Sequence, residues 1–328
     1  MREVEHAIPK MKYGEIPHVG KKVSRILMGT ASAPFTAGED GNELLDAVYA
    51  LGINTFDTAR VYGASEQVLG KWIAERGLRD QVVILSKCAH PAENGERRVN
   101  ARAIREDFAT SARCLQTEHI DIYLLHRDDP TVEVGEIVEL LNAMHAEGKI
   151  GAFGGSNWTH ERIATANEYA YKHDLIPFAV SSPHFSLAEQ ITDLWGGGCV
   201  AISGPSHRAA RAWYEKAGMP VIAYSSLARG LFSGKLRADE PERAGEVLDD
   251  WAMKGYASPE NFERLRRCEK LAEEKGCTVP QIALAWIFGQ RLNLYAVISA
   301  SAPGRMRGNI DALAVSLTEA ELLYLDEV

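Results

Sequence analysis

Ile120-Asp121-Ile122-Tyr123-Leu124-Leu125, the stretch from Val134 to Glu147, and Ile150-Gly151-Ala152-Phe153-Gly154 together carry the architecture. The first and last are short apolar runs, rich in β-branched or aromatic residues, as strands buried on both faces should be. The middle stretch sets Val134, Ile137, Val138, Leu141 and Met144 at helical spacing and stops at Gly148. The same alternation extends in both directions. Upstream strands are expected at Arg25–Gly29, Ile53–Phe56 and Val82–Ser86, and downstream ones at Phe178–Ser181, Val221–Tyr224 and Tyr295–Ile298. Residues 42–51 place Leu44, Leu45, Val48 and Leu51 on one helical side before Gly52. Thr159 opens a helix near 160–173, and Pro280 suits the first position of the helix through Gln281–Trp286.

Eight strands alternating with helices in a chain of 328 residues predict an α/β protein of one domain spanning 1–328, a closed (β/α)8 TIM barrel. An open doubly wound sheet competes, but no G-x-G-x-x-G follows an early strand. No repeat and no Pro/Ser-rich linker marks a second domain. Insertions at 184–203 and 232–257 are expected to form loops over the mouth of the barrel.

Composition agrees. With 46% hydrophobic and 25% charged residues the chain is average for a globular protein, which excludes a disordered, collagenous or disulfide-scaffold class. A net charge of −9 argues against nucleic-acid binding. The basic run Arg264-Leu265-Arg266-Arg267 alternates with acids and reads as a solvated helix face. No apolar run reaches the roughly 18 residues of a membrane span. Met1–His6 lacks the apolar core of a signal peptide. Five cysteines without a CxxC pair read as reduced, small hydrophobes, and the expected location is cytoplasmic.

Chemistry in such barrels sits where strands run into their following loops. The second strand leads into Asp57-Thr58-Ala59-Arg60-Val61-Tyr62-Gly63, the third into Lys87, the fourth into His126-Arg127-Asp128-Asp129, and the fifth into Ser156-Asn157. Singly each is unremarkable: Asp57 suits a helix cap, Tyr62 packing, Lys87 a surface and His126 a core. Together an acid, a phenol, an amine and an imidazole reach one rim. A phenol with pKa near 10 donates a proton poorly unless its phenolate is stabilised. An ammonium does that, and a carboxylate keeps the ammonium charged and oriented. Asp57, Lys87 and Tyr62 therefore make a tuned acid, with His126 placed to direct a carbonyl oxygen. Such a set protonates oxygen while an external hydride donor attacks carbon.

The chain resembles the aldo-keto reductase superfamily over nearly its whole length. The matching segments are Phe56–Gly63 with Ser65-Glu66 and Leu69-Gly70; Ser86-Lys87; Asp121–His126; Gly148-Lys149-Ile150 with Gly155-Ser156-Asn157; Ala223–Gly230; and Asn309. The resemblance implies a reductase of aldehydes or ketones that prefers NADP(H), with NAD(H) possible, and catalytic residues Asp57, Tyr62, Lys87 and His126. It implies that Ser156, Asn157 and the Ser182 position hold the carboxamide of the nicotinamide, and that Tyr224 stacks on its ring. Gly29, Thr30 and Asp57 lie where members approach the ring and ribose. Ser225, Leu227 and Gly230 match the pyrophosphate loop. The segment with Ser301, Arg305 and Asn309 matches the adenosine-phosphate site, Arg305 standing where NADPH-preferring members carry an Arg. Three positions depart from the family: Ser182 is Gln in many members, Phe185 commonly Tyr, and Ser299 Lys in one subgroup.

The substrate pocket is expected from His90, Arg127, Asp128, Trp158 and His184, with the loop Trp195–Cys199. Its polar character suggests a small sugar-like or hydroxylated carbonyl substrate, unless Arg127 is merely braced by Asp128 and Asp129. Two other functions compete. Asp57, His90, His126, Asp129 and His184 suggest a metal-dependent hydrolase or isomerase, but no H-x-H pair follows the first strand and Tyr62 and Lys87 go unused. The other is a nucleotide-binding, redox-sensing regulatory subunit. No metal, nucleic-acid or membrane partner is expected, and the oligomeric state stays open.

Overall fold

The structure, a computed structural model, describes residues 10–195 and 197–328; Met1–His6, and Gly196 within the loop Trp195–Cys199, lie outside these residues. A short antiparallel pair, β1 (Tyr13–Gly14) and β2 (Val23–Ser24), precedes the barrel. The barrel strands are β3 (Ile26–Gly29), β4 (Thr55–Asp57), β5 (Val83–Cys88), β6 (Ile120–Leu125), β7 (Ile150–Ser156), β8 (Val180–Ser182), β9 (Val221–Ala223) and β10 (Leu294–Ile298). Neighbours pair in parallel, and β10 against β3 closes the ring. Each lies within two residues of its expected place.

Alternation along the strands sorts the apolar residues. Leu27, Val83, Leu85, Ile122, Leu124, Ala152, Val180, Ile222 and Tyr295 fill the barrel. Their neighbours Met28, Phe56, Ile84, Tyr123 and Phe153 face outward into the larger helical core. Ile16, Val19 and Val23 join the inner cluster and close the end where the strands begin. This hairpin plug was not anticipated from the sequence.

The helices are α1 (Asn42–Ala50), α2 (Ser65–Arg76), α3 (Ala101–Leu115), α4 (Val134–Ala146), α5 (His160–Lys172), α6 (Arg208–Ala217), α7 (Ala244–Val247), α8 (Asp250–Tyr256), α9 (Pro259–Lys275), α10 (Val279–Phe288), α11 (Pro303–Asp311) and α12 (Glu319–Asp326). Thr159 caps α5 as expected, its side chain accepting from Arg162 N. Thr278 caps α10 with Gln281 reaching back to its N–H, so Pro280 is the second helical residue, not the first. The basic run on α9 is only partly a solvated face. Arg266 and Arg267 pair with Glu263 on the outside, but Arg264 is buried, donating to Asn261 Oδ1 (3.0 Å) and the Asp326 carbonyl (3.3 Å).

The tightest approach in the barrel is at Gly154, where a Cβ would stand 1.8 Å from the Val180 carbonyl oxygen. Gly154→Ala must separate β7 from β8, and we expect a loss of about 3 kcal/mol or more in urea unfolding. A change within about 0.5 kcal/mol would show that the strands can yield.

Candidate active site

The two-residue period that fills the barrel also builds its upper rim. Continuing the inner rows by two residues gives Gly29 above Leu27, Lys87 above Leu85, His126 above Leu124, Ser156 above Gly154, Ser182 above Val180, Tyr224 above Ile222 and Ser299 above Val297. Asp57 ends β4 in the same layer. Most of these residues line a cleft of about 740 Å³.

Asp57 and Lys87 are buried and joined, with Nζ 2.6 Å from Asp57 Oδ2 and 3.0 Å from the Thr58 carbonyl. The ammonium lies 5.0 Å from the centroid of the Tyr62 ring. The loop bearing Tyr62 is locked from below. Glu66, fully buried, accepts from Ser86 Oγ (2.7 Å) and pairs with Arg60 (2.8 Å). Ser65 Oγ bonds Thr30 Oγ1 (2.6 Å) and Thr58 Oγ1 (3.0 Å). Gly63 takes φ +57°, and a Cβ there would meet the Thr36 carbonyl at 2.4 Å. The Tyr62 ring meets His126 edge-on at 5.7 Å, and His90 also meets His126 edge-on at 4.9 Å.

Burial opposes the Lys87 ammonium, but Asp57 and Tyr62 outweigh it and the pKa is raised. Burial pushes the Tyr62 phenol up, with Lys87 pulling against it. The net direction is therefore upward, and Tyr62 rests protonated at neutral pH. Burial, then Lys87, Arg127 and His90, hold His126 well below the ordinary imidazole range. It is a neutral ring, able to donate one hydrogen bond without bringing charge.

Across the cleft, Asn157 adopts a left-handed φ of 60°, which Asn tolerates better than most residues. Its Nδ2 donates to the His126 carbonyl (3.2 Å), and its Oδ1 accepts from Tyr224 Oη (2.7 Å) and Val200 N (3.1 Å). Beyond Tyr224, positive φ at Ser225, Ala228, Arg229 and Gly230 folds the chain back along the opening. Arg229 bridges to Asp249 and lies over the Trp195 ring, so the two insertions meet above the cleft.

A nicotinamide dinucleotide fits these residues. The cleft is lined by Asp57, Tyr62 and His126, by Ser156, Asn157 and Tyr224, and by Ser225, Leu227, Gly230 and Arg305. Lys235 and Arg305 on its wall have no carboxylate partner within 4.0 Å among the described residues. Ser182 Oγ, in register with Ser156, is buried without a hydrogen-bond partner.

Several expected residues lie elsewhere. Thr30 is buried behind the rim, its hydroxyl on the Asp57 carbonyl (2.8 Å). Trp158 is fully buried against Phe178 at 5.2 Å, and Asp128 pairs with Arg162 at 3.2 Å. His184 is fully enclosed beside Tyr224 and Tyr256, where burial brings its pKa down to about 3. Ser182, Ser301 and Asn309 also fall outside the wall, Ser301 being exposed beside Arg305 and Asn309 buried in α11. His90 and Arg127 do line the cleft. The sequence reading missed Ser32, Ser233, Lys235 and Asp249 on the wall. The Gly234-Lys235 pair inside a charged insertion was the available signal. Among the described residues no group of three or more His, Cys, Asp or Glu converges to hold a metal ion, and no helix is long and apolar enough to cross a membrane.

The sequence profile of the Aldo/keto reductase family matches residues 25–328. The chain is 30% identical over 309 residues to Aldo-keto reductase YhdN of Bacillus subtilis, covering 90% of this chain and 87% of that one. It is 27% identical to the putative aryl-alcohol dehydrogenase AAD14 of Saccharomyces cerevisiae, covering 94% and 84%. It is 26% identical to Protein tas of Escherichia coli, covering 97% of each. The chain belongs to the aldo/keto reductase family, TIM-barrel oxidoreductases that use nicotinamide cofactors on small carbonyl substrates.

Proposed function

We propose that this oxidoreductase reduces a small, polar aldehyde or ketone to the alcohol, preferring NADPH, with Tyr62 as proton donor. The observation that carries the reading is the buried Asp57–Lys87 pair, 2.6 Å apart, set beneath the Tyr62 ring and facing a neutral His126. When bound, the reduced nicotinamide supplies the hydride that attacks the carbonyl carbon. His126 donates a hydrogen bond to the carbonyl oxygen and sets its direction. Tyr62 Oη gives its proton to that oxygen, and Lys87 stabilises the phenolate left behind. Asp57 keeps Lys87 charged and in place. Ser156 and Asn157 would hold the carboxamide, and Tyr224 the ring face.

The test is a panel of carbonyl substrates followed by nicotinamide absorbance with each cofactor. Reduction of polar hydroxylated carbonyls in preference to hydrophobic ketones supports the reading. Tight cofactor binding with no turnover of any member would favour the regulatory alternative.

Arg305 supports the NADPH preference, since an exposed guanidinium without a carboxylate partner suits a 2′-phosphate dianion. Arg305→Ala should raise KM for NADPH about 10-fold, the effect of one charge-assisted contact, and leave KM for NADH nearly unchanged. Equal effects on both cofactors would place the phosphate elsewhere.

A further inference from the structure

The cleft wall is cationic. It carries Lys87, Arg127, Arg229, Lys235 and Arg305 against two carboxylates, Asp57 and Asp249. Both carboxylates are already engaged, Asp57 by Lys87 and Asp249 by Arg229. Lys235 and Arg305 are exposed on the side suited to dinucleotide phosphates. Arg127 differs from all of these. It is 7% exposed, it follows His126 directly, and among the described residues no carboxylate lies within 4.0 Å of its guanidinium.

The acids beside it in sequence do not brace it. Asp128 turns to Arg162 (3.2 Å) and Asp129 to Arg97 (2.7 Å). What Arg127 does have is neutral: Nη1 donates to the His126 carbonyl (2.9 Å) and Nη2 reaches Cys199 Sγ (3.6 Å). Burial pushes that thiol up to about 11, so no thiolate balances the charge. A guanidinium largely covered by protein, open only toward the cleft and without a counter-anion, carries a desolvation cost. The fold nevertheless keeps Arg127 in the cleft and fixes it, through a backbone carbonyl, beside the imidazole that meets the substrate.

We infer that the substrate supplies the missing charge: it is a carbonyl compound bearing its own anion, a carboxylate or a phosphate ester, seated on Arg127 while its carbonyl faces Tyr62 and His126. This rests on the reductase reading and narrows its substrate class. Arg127 is then a specificity-determining residue, its planar donors matched to an oxyanion.

The test compares matched aldehydes that differ in charge: 4-carboxybenzaldehyde with methyl 4-formylbenzoate, and 4-formylphenyl phosphate with 4-methoxybenzaldehyde. In the wild-type enzyme kcat/KM should favour the charged member of at least one pair by about 30-fold, mostly through KM, as a charge-assisted contact implies. The pair that shows it identifies the anion. In Arg127→Gln the ratio should fall toward one, and Arg127→Lys should recover part of it. A wild-type ratio near one in both pairs, or a ratio that survives in Arg127→Gln, overturns the inference. Calorimetric titration of benzoate and phenyl phosphate with saturating NADP+ separates this inference from the reductase reading. Binding that weakens at least 10-fold in Arg127→Gln supports the anion site even if no aldehyde is turned over. Absence of binding by the wild type rejects the site even if aldehydes are reduced.

Discussion

Tyr62→Phe should lower kcat for carbonyl reduction by about 10²–10⁴-fold, the range expected for loss of a positioned general acid. The substitution removes one hydroxyl and leaves the ring that packs edge-on against His126 and lies 5.0 Å from the Lys87 ammonium. Binding of the dinucleotide, followed by fluorescence titration, should therefore change little. The loss belongs in kcat and kcat/KM together, because the proton is transferred only in the transition state. The same phenol sets the pH profile. Reduction needs Tyr62 protonated, and burial raises its pKa, so the rate should hold through neutrality and fall only as pH climbs through that raised value. Alcohol oxidation needs the phenolate and should rise over the same interval. A Phe variant reducing carbonyls within 10-fold of the wild type would remove Tyr62 from the chemistry.

The barrel was legible because its strands repeat one signal, and the rim was legible because the same signal continues past the strand ends. Leu85 and Lys87 share a row, as do Leu124 and His126, so a reader who places the core has already placed the ammonium and the imidazole. That logic stops where the backbone leaves the strand geometry. Trp158 follows Ser156 by two residues, but Asn157 between them takes a left-handed φ, and the indole packs behind the barrel instead of into the cleft. His184 follows Ser182 by two, but isolated bridges to Ala201 and Tyr224 carry it beneath a second layer of chain. Asp128 stands next to a cleft residue in sequence and answers to Arg162 on α5 in space. Asp249 was hidden for another reason. It pairs with Arg229, which lies over Trp195 of a different insertion, and no local pattern encodes that meeting. The β1–β2 plug, with two residues per strand, is too short for any periodicity to register.

Lys87→Met should be as damaging to turnover as loss of the phenol, and it should also damage the fold in a pH-dependent way. Without the ammonium nothing stabilises the Tyr62 phenolate, so kcat should again fall by about 10²–10⁴-fold. The stability effect comes from Asp57, buried and left alone. Breaking a buried pair by removing one partner costs about 3–5 kcal/mol when the remaining charge must stay. Asp57 can avoid part of that by taking up a proton. Burial already pushes its pKa up, and Lys87 is the group that opposes the rise, so the folded variant's carboxyl should titrate higher still. A folded pKa above the unfolded one means that the native state binds the extra proton. The loss contributed by Asp57 relative to the wild type should therefore be smallest below about pH 4, where both states are protonated, and grow as pH rises through the folded pKa. Asp57→Asn in the Lys87→Met background separates the two roles. It removes the charge, so urea unfolding should recover most of the lost stability and its pH slope should flatten, while turnover stays at the level of Lys87→Met alone. Recovery of turnover along with stability would make Lys87 a structural counter-ion only. A pH-independent loss in the single variant would mean that Asp57 finds another partner when Lys87 is gone.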